Sequence, residues 1–173
     1  MSADPDPAGS HFEVEPGSLV PLEAAPREAR RDVRLQRRLV VAGDEAQIAA
    51  VVELSRDICA RHAIPPARVL AHSDIAPGRK IDPGERFDWP LLFRNGVGHW
   101  VPPGLPDEGV LAGQDLIRFQ RLLKDYGYGL DVTGLHDEGT RKVTDAFQRH
   151  FRPALVNGVP DISCLRTVER LLA

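Results

Sequence analysis

The sequence predicts an α/β segment with few short strands and one long helix, followed by a small all-α unit of three helices. Three observations lead there. Ile48, Val51, Val52, Leu54 and Ile58 recur at near-helical spacing. The short apolar run Arg68-Val69-Leu70-Ala71 reads as a buried strand and ends at a Pro/Gly-rich loop. After Pro102-Pro103-Gly104-Leu105-Pro106, a stretch with linker composition, helical periodicity starts afresh. These set the expected boundaries at 1–43, 44–104 and 105–173.

Residues 1–43 read as an arm without a folded core. They hold Pro5, Pro7, Pro16, Pro21 and Pro26 and show no sustained period. The Arg-dense run at Arg27, Arg30, Arg31, Arg34, Arg37 and Arg38 reads as a solvated, partly helical tail, followed by a short apolar patch from Leu39 to Ala42. Asp44 followed by Gln47 resembles a capping box and opens the first helix. That helix must stop near His62, because Pro65-Pro66 cannot continue it. The strand at 68–71 then delivers His72. Phe87, Trp89, Leu91, Leu92 and Phe93 supply a small apolar cluster, and Trp100 anchors a turn. The next helix covers 113–126, with Leu116, Ile117, Phe119, Leu122, Leu123 and Tyr126 on its apolar side. Another starts near Asp137 and buries Val143, Phe147 and Phe151; the last starts near Asp161 and buries Leu165, Val168, Leu171 and Leu172.

Composition excludes several classes. The 173 residues carry a net charge of −3, so nothing favours bulk attraction to nucleic acid or an anionic membrane. No apolar run approaches the roughly 18–20 residues that span a bilayer. The start, Met1-Ser2-Ala3-Asp4-Pro5-Asp6-Pro7, is acidic and Pro-rich and lacks the basic and apolar regions of a secretory signal, which leaves the chain as written in the cytoplasm. Cys59 and Cys164 read as small buried residues, because two cysteines do not make a disulfide scaffold.

The chemistry concentrates between His72 and Gly84. Zinc takes nitrogen, oxygen and sulfur donors, and a catalytic zinc site uses three protein ligands and one exchangeable water. A turn between His72 and Asp82 can bring an imidazole and a carboxylate to one ion, with the ammonium of Lys80 beside it. Asp74 and Arg79 are expected to hold the loop by local ion pairing and bonds to backbone. The rest of the chain must supply a third ligand. His11, His62, His99, His136 and His150 are the other histidines, and each reads as structural; His62 suits a helix C-terminus, where a cation is favourable.

The run His72-Ser73-Asp74-Ile75-Ala76-Pro77-Gly78-Arg79-Lys80-Ile81-Asp82-Pro83-Gly84, resumed at Phe87-Asp88-Trp89-Pro90, closely resembles the zinc-ligand loop of the type 2 family of N-acetylmuramoyl-L-alanine amidases. The resemblance extends from Ala46 to Trp100. It implies Zn2+ as cofactor, His72 and Asp82 as metal ligands and Lys80 as the catalytic residue that stabilises the transition state. It also implies hydrolysis of the lactyl–L-Ala amide of peptidoglycan during cell-wall turnover. The family places a first zinc His on an early strand and a catalytic Glu on a later one. Neither pattern occurs here, since His11, Glu13 and Glu15 follow no apolar strand. The expectation is the C-terminal part of the catalytic domain without its N-terminal half; the alternative is an inactive remnant that only binds peptidoglycan. Residues 105–173 resemble a peptidoglycan-binding type 1 domain through Tyr126-Gly127-Tyr128, Asp131-Val132-Thr133-Gly134, Thr140, Val143 and Ala146-Phe147-Gln148. Peptidoglycan or muropeptides are the implied partners, and the periplasm or cell envelope is the implied location.

Overall fold

Helix α1 is described from 46 to 62 and stops as the two prolines require. Its last turn closes through a bond from the Ile64 N–H to the Cys59 carbonyl, 3.0 Å, with Ala63 in the left-handed region at φ 50°. This six-to-one bond satisfies a carbonyl that the helix end would otherwise leave open. A computed structural model describes residues 46–104 and 109–173 of the chain, and Ala49–Ala173 coheres as one unit. The expected arm at 1–43, its Arg run, and the Asp44 cap lie outside the described residues.

The strand expected at 68–71 is not formed. Pro66–Arg68 is a single 3-10 turn, and Val69, Leu70 and Ala71 are extended but unpaired. A strand exists only as a member of a ladder. Among the described residues there is no strand, and the only pairing is an isolated bridge between Val110 and Asp161. The described chain is mostly helical, so the expectation of a few short strands is corrected. His72 accordingly lies not at a strand end but at the start of a short helix, α2 (His72–Ile75).

Four further helices follow the loop. Helix α3 (Trp89–Arg94) is capped by Asp88, whose Oδ1 accepts the Leu91 N–H at 2.8 Å. Helix α4 (Gly113–Tyr126) ends at Gly127, φ 125°, with the Tyr128 N–H on the Leu123 carbonyl at 2.9 Å. Helices α5 (Glu138–Phe151) and α6 (Ile162–Leu172) both open on an aspartate. Asp137 accepts the Thr140 N–H at 2.7 Å and Asp161 the Cys164 N–H at 2.8 Å. Each such cap is worth ~1 kcal/mol.

The core joins α4, α5 and α6. Leu116, Phe119, Leu123, Val143, Phe147, Phe151, Cys164 and Val168 are buried together. Phe119 and Phe151 each meet Phe147, the first edge-on at 6.1 Å between ring centres and the second tilted at 5.2 Å. Trp100 and Val101 pack against the same core from the segment read as leading into a linker. That segment is also bonded down: the Pro102 carbonyl accepts from Arg170 at 2.7 Å and the Gly104 carbonyl from Ser163 at 3.0 Å. Both cysteines are free, Cys164 fully buried and Cys59 only partly.

One polar device occurs twice. Phe119-Gln120-Arg121 on α4 is echoed by Phe147-Gln148-Arg149 on α5. Each glutamine is fully buried and clamps the loop that follows its helix. Gln120 Oε1 accepts the Gly134 N–H at 2.8 Å, and its Nε2 donates to the Leu135 carbonyl at 3.1 Å. Gln148 Oε1 accepts the Gly158 N–H at 2.8 Å, and its Nε2 donates to the Val159 carbonyl at 2.9 Å. A side-chain amide carries both a donor and an acceptor, so it can complete a buried loop backbone that no helix or sheet serves.

Candidate metal centre

Helix α2 is a single turn, and its short length sets the site. Two residues along a helix point roughly 200° apart, so His72 and Asp74 face opposite ways. The His72 side chain is 71% exposed and that of Asp74 is 3% exposed. On the outer face, His72 Nδ1 lies 2.5 Å from Asp82 Oδ2. The chain between them is folded back by the Ser73 N–H on the Asp82 carbonyl at 3.2 Å, and by the Arg79 and Lys80 N–H groups on the Ala76 carbonyl. Gly78 and Gly84, at φ 74° and 81°, take the two left-handed positions of this turn. The His72 hydrogen bond is the main cause that holds the Asp82 carboxyl below its usual value, with smaller contributions from the charges of His72 and Lys80.

The inner face holds a buried cluster. Asp74 Oδ2 accepts the Ala71 N–H at 2.8 Å and the His150 Nδ1–H at 2.7 Å, and Oδ1 accepts the Tyr128 O–H at 2.7 Å. An ionised carboxylate only accepts, so Nδ1 carries the hydrogen of the His150 contact. The His150 ring is stacked on Trp89 at 3.7 Å and on Phe151 at 3.9 Å. Burial, and then the nearby charge of Asp74, pushes the Tyr128 hydroxyl well above its usual pKa. The expectation for Asp74 was local: the bond to Ala71 is, but its other partners come from far along the chain. Arg79 is exposed and forms no ion pair among the described residues, so its expected role in the loop is not formed there.

The sequence reading named Tyr128 within a motif and His150 as a structural histidine, but tied neither to Asp74. A signal was available, because His150 follows Val143 and Phe147 on the apolar stripe of α5, where a polar side chain needs a partner. The other described histidines stand apart. His62 is exposed in the last turn of α1. His99 Nδ1 meets the Tyr126 hydroxyl at 3.1 Å, and burial lowers the pKa of its ring. His136 Nε2 donates to the Leu111 carbonyl at 2.8 Å. Among the described residues no group of three or more His, Cys, Asp or Glu side chains is placed to hold a metal ion. His11, Glu13 and Glu15 lie outside the described residues.

Imidazole nitrogen and carboxylate oxygen are both zinc donor types, and here they converge on one point open to solvent. In type the two donors suit a zinc site, but at 2.5 Å they are hydrogen-bonded to each other, closer than two donors of one tetrahedral zinc stand. A cleft of about 300 Å³ opens near the inner face of α2, lined by Arg68, Ile75, Pro77, Tyr126 and Gly127 among others.

Comparison with known proteins places this arrangement in a class. Residues 41–85 match the N-acetylmuramoyl-L-alanine amidase family and residues 112–168 match a peptidoglycan binding domain. The chain is a member of that amidase family over the first segment, continued by the peptidoglycan binding segment. It is 42% identical over 137 residues to the N-acetylmuramoyl-L-alanine amidase AmiD of Escherichia coli, covering 75% of this chain and 48% of AmiD. The structure of AmiD in complex with the substrate anhydro-N-acetylmuramic acid-L-Ala-D-gamma-Glu-L-Lys is similar with a TM-score of 0.62 at 39% identity, over 73% of this chain and 51% of that one. The crystal structure of AmpDH3 from Pseudomonas aeruginosa gives a TM-score of 0.61 at 30% identity, over 72% and 51% of the two chains. The chain thus spans about half the length of the relatives it matches.

Proposed function

We propose that the protein acts on peptidoglycan as a zinc-dependent N-acetylmuramoyl-L-alanine amidase, hydrolysing the lactyl–L-Ala amide in cell-wall turnover within the envelope. The observation that carries this reading is the convergence of His72 Nδ1 and Asp82 Oδ2, 2.5 Å apart, on an exposed loop within the amidase-family match. His72 and Asp82 would hold the ion, which when bound supplies Lewis acidity to polarise an amide carbonyl and acidify a water. Lys80, two residues before Asp82 and the smallest of the influences that lower its carboxyl, would place its positive charge against the oxygen of the attacked carbonyl. The loop backbone fixes the order of these groups through the Ser73–Asp82 and Lys80–Ala76 bonds. In this reading residues 44–104 are the C-terminal part of the amidase domain. Residues 105–173 are a three-helix peptidoglycan-binding domain that raises the local concentration of substrate.

A second reading is favoured by the count of donors. Among the described residues two candidate donors come together, and no group of three or more His, Cys, Asp or Glu is placed to hold an ion. In that reading the chain binds the wall without cutting it.

One experiment separates the two. The full chain and its His72→Ala variant are supplied with zinc and a defined muropeptide, and free stem peptide is measured. Zinc-dependent release that His72→Ala abolishes supports the amidase. Co-sedimentation with purified sacculi and no release supports binding alone. Failure of both refutes a role on peptidoglycan.

A further inference from the structure

We infer that Tyr128 and His150, in the peptidoglycan-binding segment, are positioning residues for the His72–Asp82 loop, acting through Asp74. The segment is then part of the amidase site and not only its tether. The inference rests on reading His72 and Asp82 as the metal ligands.

Helix α2 works as a rigid connector. One turn of helix carries the exposed imidazole on one face and the buried carboxylate on the other, with side chains 71% and 3% exposed. Whatever fixes Asp74 therefore fixes the backbone from which His72 projects. The Ser73 N–H extends the same constraint to Asp82 through its 3.2 Å bond to the Asp82 carbonyl. Two of the three donors that fix Asp74 come from the helical segment: the Tyr128 hydroxyl and His150 Nδ1, each at 2.7 Å. The third, the Ala71 N–H, is local.

The donors are themselves aimed. Trp89 and Phe151 stack on the His150 ring, which leaves it little freedom to turn. Trp89 belongs to the chain just past the loop, so both ends of the loop rest on α5. Its middle does too: a Cβ added at Gly78 would lie 2.5 Å from Lys142 Cδ, so the loop backbone passes directly over the α5 side chain. Among the described residues the buried His150 Nε2 meets no partner, and the hydrogen bond the ring makes there is the one it gives to Asp74. A ring held for packing alone would be apolar; this one presents a single donor to the carboxylate behind the ligand loop. Groups that orient metal ligands from behind commonly change metal affinity by ~10–100-fold when removed.

The test uses the full chain with Tyr128→Phe, His150→Leu and His150→Asn, and with Val168→Ala as a control in the same core outside the Asp74 cluster. Two quantities are read: hydrogen-exchange protection of the Ser73 amide by NMR, and affinity for zinc alone by titration. Tyr128→Phe and His150→Leu should lower Ser73 protection and weaken zinc binding by ~10-fold. His150→Asn, which keeps an N–H near the place of Nδ1, should recover most of both. Val168→Ala should lower the melting temperature and leave both unchanged. Ser73 protection that stays the same in Tyr128→Phe and His150→Leu, or falls equally in Val168→Ala, overturns the inference. A wild-type chain that takes up no zinc refutes the metal reading, while Ser73 protection still decides whether Tyr128 and His150 hold the loop.

Discussion

Asp74 and His72 lie two residues apart in one motif, yet their replacement by alanine should have opposite consequences. Asp74→Ala removes the acceptor that, among the described residues, serves the His150 Nδ1–H and the Tyr128 O–H, both deep in the structure, and the Ala71 N–H. A buried donor left without a partner costs about 1–3 kcal/mol. Over the three donors this adds to roughly 3–9 kcal/mol, but the shortened side chain leaves room for water, which can serve some of them. The expected loss is therefore ~3–5 kcal/mol, the lower part of that range and a large share of the ~5–15 kcal/mol that holds an ordinary domain. His72→Ala removes a side chain that is 71% exposed and whose bond to Asp82 faces water, so stability should hardly change. Urea unfolding of the three proteins, with intrinsic fluorescence as the probe, measures both effects. The His72 variant should keep the wild-type midpoint and lose zinc; the Asp74 variant should unfold at much lower urea. Equal midpoints for the two variants, or an Asp74→Ala loss below ~1 kcal/mol, would refute the division of the motif into an outer ligand face and an inner anchoring face.

Four other outcomes are expected. Gln148→Leu keeps the volume but strips the acceptor from the Asn157 and Gly158 N–H groups and the donor from the Val159 carbonyl, and should cost ~3–5 kcal/mol in denaturant unfolding. Arg118→Ala, which breaks only the solvent-facing pair with Glu169, should cost under ~1 kcal/mol. The Thr140 N–H and the Thr133 hydroxyl hold the Asp137 carboxyl below 3.8, so its contribution is present above that pH and lost as pH falls through the lower folded value. Asp137→Asn still caps α5 but cannot titrate, so its melting temperature should fall less than wild type's below pH 3.8, as calorimetry would show. A fragment of residues 98–173 should melt well above one of 109–173, because Trp100 and Val101 cover the core and the Pro102 and Gly104 carbonyls are bonded to Arg170 and Ser163. Matching circular-dichroism melts for the two fragments would show that those contacts add nothing.

The sequence by itself determined what local chemistry can determine. The spacing of Leu116, Phe119 and Leu123, and of Val143, Phe147 and Phe151, marks one buried face per helix because side chains three or four apart share a side. Asp137 and Asp161 fixed where α5 and α6 begin, and Pro65 fixed where α1 must stop, because capping and the missing proline N–H act within one turn. The meeting of His72 with Asp82 was legible from the unbroken resemblance of the 72–84 run to a zinc-ligand loop, which a turn between the two residues allows. Tertiary structure decided what lies beyond one turn. The apolar run at 68–71 satisfied every local condition for a strand, but a strand is stable only beside another, and among the described residues none flanks it. Asp74 looked like a local brace of its loop. Its two remote partners, Tyr128 and His150, could not be read from neighbouring residues, because a buried carboxylate takes whichever donors the fold brings to it, however far along the chain they begin.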